Sequence, residues 1–61
     1  MDAIYSFGEW LKRRRKTAGL TQRELAERAY CSTATIKKIE ADQRRPSVEL
    51  AELLARSLSL P

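Results

Sequence analysis

The chain of 61 residues contains no histidine, one cysteine, two glycines, two prolines and few aromatics: one Trp, one Phe and two Tyr. Each scarcity excludes a class of activity. Without histidine, and with Cys31 alone, the ligand set of a zinc site cannot be assembled. A Ser-His or Cys-His nucleophile pair is equally excluded. A single cysteine closes no internal disulfide, and no signal peptide or membrane-length apolar run is present, so a reducing cytoplasmic setting is expected. No segment reads as a strand, and no internal repeat or low-complexity stretch is visible. A chain this short forms one domain that buries only about 60% of its unfolded surface. That leaves no room for a deep catalytic pocket, so neither an enzyme nor a bound cofactor is expected.

What the chain does have is charge. Twelve Lys and Arg stand against eight acids, a net charge of +4 with a sequence pI near 9.7. This balance favours an acidic partner such as nucleic acid, although an anionic membrane surface attracts the same charge. The meaning of the excess depends on where the cations lie.

Four helices are legible. Met1 to Tyr5 reads as a short arm. Ser6 and Glu9 have capping-box spacing, Phe7, Leu11 and Ala18 keep helical spacing, and Gly19 suits the position just past a helix end, so helix 1 runs from about Phe7 to Ala18. Thr21 and Glu24 form a second capping box that starts helix 2 at about Gln22. Leu25, Ala26 and Ala29 share one face of that helix, and Ile36 and Ile39 share one face of the next. Only Tyr30, Cys31 and Ser32 separate the two, and Ser32 is the best available N-cap for helix 3. Arg44, Arg45 and Pro46 form a basic loop. Ser47 then caps a helix from about Val48 to Leu58, with Ala51, Leu54, Ala55 and Leu58 as its apolar stripe.

Two short helices joined by so tight a turn make an αα unit of the helix-turn-helix type, spanning about Thr21 to Asp42. With Gln22, Ala26, Ile36 and Ile39 at these spacings, together with Gly19-Leu20-Thr21-Gln22, Ile39-Glu40 and Arg44-Arg45-Pro46-Ser47, the chain resembles the xenobiotic-response-element family. That family comprises bacterial and phage regulators related to the lambda and 434 repressors and Cro. The resemblance extends from Phe7 to Leu60. It implies an all-α, lambda-repressor-like bundle of four helices that binds double-stranded DNA. Related domains usually carry a fifth helix, so the chain is expected to be the N-terminal part of a longer regulator.

The resemblance also assigns roles. With Ile36 and Ile39 inward, the helical step turns Thr33, Ala34, Lys37 and Lys38 outward, and in this family that face enters the major groove. There a lysine favours guanine O6/N7, and the methyls of Thr33 and Ala34 suit a thymine methyl. Thr21, Gln22, Arg23, Ser32, Arg44 and Arg45 are the expected phosphate contacts, with Gln22 at a helix N-terminus that suits an anion. For each of these the plain alternative is a solvated side chain. The run Lys12 to Lys16 spreads cations around helix 1, and the resemblance implies that Arg15 turns inward as the ion-pair partner of Glu40.

Two positions depart from the family. Tyr30 and Asp42 stand where glycine is usual, in the turn and after helix 3. A bulky residue at φ > 0 carries a strain of roughly 1–2 kcal/mol, while Asp tolerates it better. If Tyr30 keeps the family backbone, its ring is expected to offset part of the strain by packing on a neighbouring helix. Otherwise the turn bends differently and re-aims helix 3. Cys31 reads as a small buried hydrophobe, with a redox-sensing thiol as the alternative. Trp10, Leu50 and Leu53 lie at the edges of their stripes. They are either ordinary edge-of-core residues or the surface for a homodimer or a following domain.

Two other functions compete with DNA binding. In the first, the same helices serve as a protein-interaction module of the antitoxin kind, or as a regulatory partner-binding unit. A basic amphipathic peptide that folds only on anionic lipid is the third reading.

Overall fold

The computed structural model describes residues 6–58, so the proposed arm at Met1 to Tyr5 lies outside the described residues. Four helices follow one another: α1 (Phe7–Thr17), α2 (Gln22–Arg28), α3 (Thr33–Glu40) and α4 (Val48–Ser57). No strand is found among the described residues. The bundle is the all-α arrangement expected of a Cro-like domain.

The helices start where hydroxyl side chains can satisfy their first N–H groups. Ser6, Thr21, Ser32 and Ser47 each accept from the backbone N–H three residues on, at 3.0–3.1 Å. At Thr21 the box is reciprocal, because Glu24 accepts from the Thr21 N–H at 2.8 Å. At Ser6 the expected box takes another form: the Glu9 carboxylate accepts from Arg13 Nε instead, at 3.1 Å.

Three of the helices end in the same way. After α1, Gly19 N–H donates to the Lys16 carbonyl and Leu20 N–H to the Arg15 carbonyl. After α2, Tyr30 and Cys31 repeat the pattern onto Glu27 and Ala26, and after α3, Asp42 and Gln43 repeat it onto Ile39 and Lys38. This is the Schellman closure, which requires a left-handed residue at the helix end. Gly19, Tyr30 and Asp42 supply it with φ of 74°, 58° and 60°. The turn between α2 and α3 is tight because such a closure at Tyr30 is followed directly by the N-cap at Ser32.

Leu11, Leu25, Ala26, Ala29, Ile36, Ile39, Leu54 and Leu58 form the core. Ala26 and Ala29 present little bulk, and α2 and α3 make the most extensive helix contact. Gly8 has the same use on α1. A Cβ there would clash with the Ile39 carbonyl and come within 2.6 Å of Asp42 Oδ1, so only glycine lets α1 cross the end of α3 so closely.

Three expectations about packing are corrected. Phe7 is 38% exposed and lies beside Trp10 (ring centroids 5.4 Å apart), so Gly8, Leu11 and Arg15 make the inward face of α1. On α4, Ala55 is exposed and Ala51 only half-buried. Leu54 and Leu58 carry the stripe, with Leu50 and Leu53 packed beside them. Leu54 and Leu58 stand in the expected stripe, while Leu50 and Leu53 take the flanking places expected of Ala51 and Ala55, because the larger side chains gain more from burial. Cys31 is half-buried rather than buried. Trp10, Leu50 and Leu53 all pack against the core as partly exposed residues.

Candidate nucleic-acid interface

The orientation of α3 is set by one carboxylate. Arg15 Nε donates to Glu40 Oε2 at 2.7 Å and Arg15 Nη2 to Oε1 at 3.1 Å, while Nη1 reaches the Leu20 carbonyl at 2.9 Å. Gln22 Nε2 donates to the same Oε1 at 3.0 Å. Glu40 thus ties the end of α3 to α1 and to the first residue of α2, and Arg15 extends the link to the loop after α1. The pair is nearly shielded from water, with side-chain exposures of 11% for Arg15 and 4% for Glu40. No buried side-chain polar atom among the described residues lacks a partner. In such surroundings a bidentate guanidinium-carboxylate pair is directional, and losing one member strands a charge.

This network changes the role of Gln22. Its amide is committed to Glu40, leaving one Nε2 hydrogen and the backbone N–H for an outside acceptor. Thr21 and Ser32 are likewise engaged as caps. Ser32 Oγ accepts from Thr35 N–H and shares a hydrogen bond with Thr35 Oγ1 at 2.9 Å. Arg23 stands 3.6 Å from Glu27 on the solvent side of α2, with both side chains well exposed. An exposed pair of this kind is held weakly, so Arg23 is readily exchanged to another anion.

The outward face of α3 is less occupied. Ala34, Lys37 and Lys38 are exposed and Thr33 is half-buried, while Ile36, Ile39 and Glu40 face inward. Lys37 and Lys38 have no ion-pair partner among the described residues, and neither have Arg44 and Arg45 in the following loop. The four acids of this region are all engaged: Glu24 in its cap, Glu27 with Arg23, Glu40 with Arg15, and Asp42 as acceptor from Ser6 Oγ at 2.7 Å. A cleft of about 570 Å3 opens between the start of α1 and the α3–α4 loop, and Arg44, Arg45 and Asp42 line it with Phe7 and Pro46.

Burial pushes the Cys31 thiol up from its ordinary value, and the positive charge of Arg44 partly counters the shift. A raised thiol pKa is the opposite of what a redox-sensing thiolate requires.

Tyr30 departs from expectation. It keeps the left-handed backbone, yet its ring does not pack on a neighbouring helix and remains 85% exposed. The resemblance to a family with glycine at this position left two backbones open, and the structure has the left-handed one. The packing expected of the ring had no residue pattern behind it. The Gln22–Glu40 bond and the need for Gly8 were also missed, since both join residues far apart in the chain.

Residues 11–61 match the family model described as helix-turn-helix. An uncharacterized HTH-type transcriptional regulator from the archaeon Methanothermobacter thermautotrophicus is 44% identical over 48 residues, which cover 79% of this chain and 70% of that protein. No solved structure matches. Among the described residues, no helix is long and apolar enough to cross a membrane. With the family match covering most of the chain and the capped helix pair in place, the chain belongs to the helix-turn-helix family of the Cro and xenobiotic-response-element type.

Proposed function

We propose that the chain is the DNA-binding domain of a transcriptional regulator, that it performs no chemistry, and that it binds double-stranded DNA with α3 in the major groove. The observation that carries this reading is the outward surface of α3 and its following loop. Lys37, Lys38, Arg44 and Arg45 lie there without acidic partners among the described residues, while each nearby acid is engaged elsewhere. Thr33, Ala34, Lys37 and Lys38 face base edges in this arrangement. Thr33 and Ala34 offer few hydrogen bonds, so sequence preference rests on the lysines and on the shape of the duplex. Arg44 and Arg45, the exposed Arg23, and the capped helix starts at Thr21, Gln22 and Ser32 hold the backbone and fix the register. The printed name of the archaeal relative supports the regulator reading.

Titration of duplex DNA at several salt concentrations tests the proposal. Log K should fall with log[salt] by about 0.9 per phosphate contacted. A flat dependence, or no duplex binding at low salt, would overturn it in favour of a protein-interaction module. Within a selected duplex, Lys38→Ala is expected to weaken binding by about 1–3 kcal/mol and shift the preferred sequence. Arg44→Ala is expected to weaken all duplexes alike and reduce the salt slope by about one. If both variants act uniformly on every sequence, α3 is not the reading element.

A further inference from the structure

Among the described residues, the left-handed position at the end of α2 is the one place where backbone strain is accepted without an internal contact to offset it. The two other left-handed positions have evident reasons. Gly19 has no Cβ to strain, and a Cβ added there would meet nothing. Asp42 accepts a hydrogen bond from Ser6 and lies against the Gly8 crossing. Tyr30 has neither a small side chain nor an internal partner. Its ring is 85% exposed at φ 58°. Strain retained with no internal offset points to a use outside the fold, and tyrosine joins a rigid apolar ring to a hydroxyl donor, a combination enriched at interfaces.

The surroundings define the occupant. Tyr30 stands two residues before the N-cap of α3, beside the helical turn that carries Thr33 and Ala34. Arg28, two residues earlier, is exposed and without an ion-pair partner among the described residues. Arg44, in the loop after α3, is likewise exposed and without an ion-pair partner among the described residues. The nearest acid along the chain, Glu27, is turned to Arg23. An exposed hydroxyl two residues along the chain from an exposed, unpaired cation suits an anionic acceptor.

We infer that the Tyr30 hydroxyl donates a hydrogen bond to a phosphate of the bound duplex at the edge of the groove entered by α3. This rests on the DNA-binding reading and adds to it a neutral contact from the turn, which the cationic surface alone would not disclose. The contact positions the N-terminal end of α3 and carries no base information.

The test compares the full chain with its Tyr30→Phe and Tyr30→Gly variants on one selected duplex, by fluorescence anisotropy across a salt series. Tyr30→Phe keeps the ring and the strain and removes only the hydroxyl. It should bind about tenfold more weakly, as for loss of a hydrogen bond to a charged group. The salt slope should not change, because a neutral donor releases no counterion. Tyr30→Gly should melt at a temperature higher by roughly 2–8 °C as strain is relieved, and still bind at least as weakly as Tyr30→Phe. Equal binding by wild type and Tyr30→Phe overturns the contact and leaves the DNA-binding reading intact. Absence of salt-dependent binding by the wild type overturns both, and the two failures are separated by the wild-type titration alone.

Discussion

The two ends of α3 are built on different terms. At its C-terminal end, Glu40 receives Arg15 and Gln22, Asp42 receives Ser6, and the Ile39 and Glu40 carbonyls press against Gly8. At its N-terminal end, Ser32 caps its own helix, Cys31 is half-buried, and Tyr30 projects into solvent. One end is anchored to α1 and the start of α2. The other is presented. A reading helix needs both properties, because contacts to an outside partner require free side chains on a rigid support. The outward cations of α3 sit between these ends, so the anchored end sets their angle and the presented end meets what they bind.

Removing the anchor should have the largest effect. Glu40→Ala leaves the Arg15 guanidinium buried with only the Leu20 carbonyl as partner and deprives Gln22 of its acceptor. Breaking a buried pair from one side costs about 3–5 kcal/mol. A domain of this length has a total stability of only about 3–9 kcal/mol, so chemical denaturation should show a large unfolded fraction in plain buffer. Joint replacement by Arg15→Met and Glu40→Leu should recover most of that loss, since no charge is then stranded. If Glu40→Ala melts within a degree or two of wild type, the carboxylate is not the anchor, and the contrast between the two ends fails.

The Gly8 crossing comes next. In Gly8→Ala the added methyl meets the Ile39 and Glu40 carbonyls and the Asp42 carboxylate, and two of these three are backbone atoms that cannot turn aside. Overpacking of this kind costs about 1–3 kcal/mol. Because it acts by moving α1 away from α3, the variant should also lose duplex affinity in the fraction that remains folded, measured after correction for the unfolded population. Unchanged stability would mean that α1 can shift freely at this end.

What was legible in the chain follows the range of the interactions. Helix starts at Ser6, Thr21, Ser32 and Ser47 are local, set by a hydroxyl and an N–H three residues apart, and spacing alone places them. At Tyr30 and Asp42 the family resemblance pointed to left-handed positions, and the Schellman closures at the ends of α2 and α3 account for them. The inward faces of α2 and α3 followed from Leu25, Ala26, Ile36 and Ile39. Misplacing the α4 stripe had another cause: alanine and leucine at similar spacing define the same period with different phase, and only packing against α2 chooses between them. The Gln22–Glu40 bond spans 18 residues and the Ser6–Asp42 bond 36. No local pattern carries information on either. Tyr30 marks the sharpest limit, because the helix-end closure that fixes its φ does not fix the direction of its ring, which points to solvent where packing was expected.

The smallest expected effect is also the closest comparison of the two ends. Asp42→Gly and Tyr30→Gly both relieve left-handed strain, about 1–2 kcal/mol at Tyr30 and less at the more tolerant Asp42, and carry the same penalty of about 0.5–1 kcal/mol for the looser unfolded chain. They differ in what else is lost. Asp42→Gly gives up the hydrogen bond from Ser6, about 1 kcal/mol, which consumes the gain and leaves stability near that of wild type. Tyr30→Gly loses no internal contact and should be more stable by roughly 0.5–1 kcal/mol. Parallel thermal melts of the two variants read the difference directly. A gain at Asp42 equal to that at Tyr30 would show that the Ser6 bond contributes nothing, and that both left-handed residues are strained alike. A gain at Tyr30 alone locates the fold's unoffset strain at the presented end, where a contact with the duplex is the remaining way to offset it.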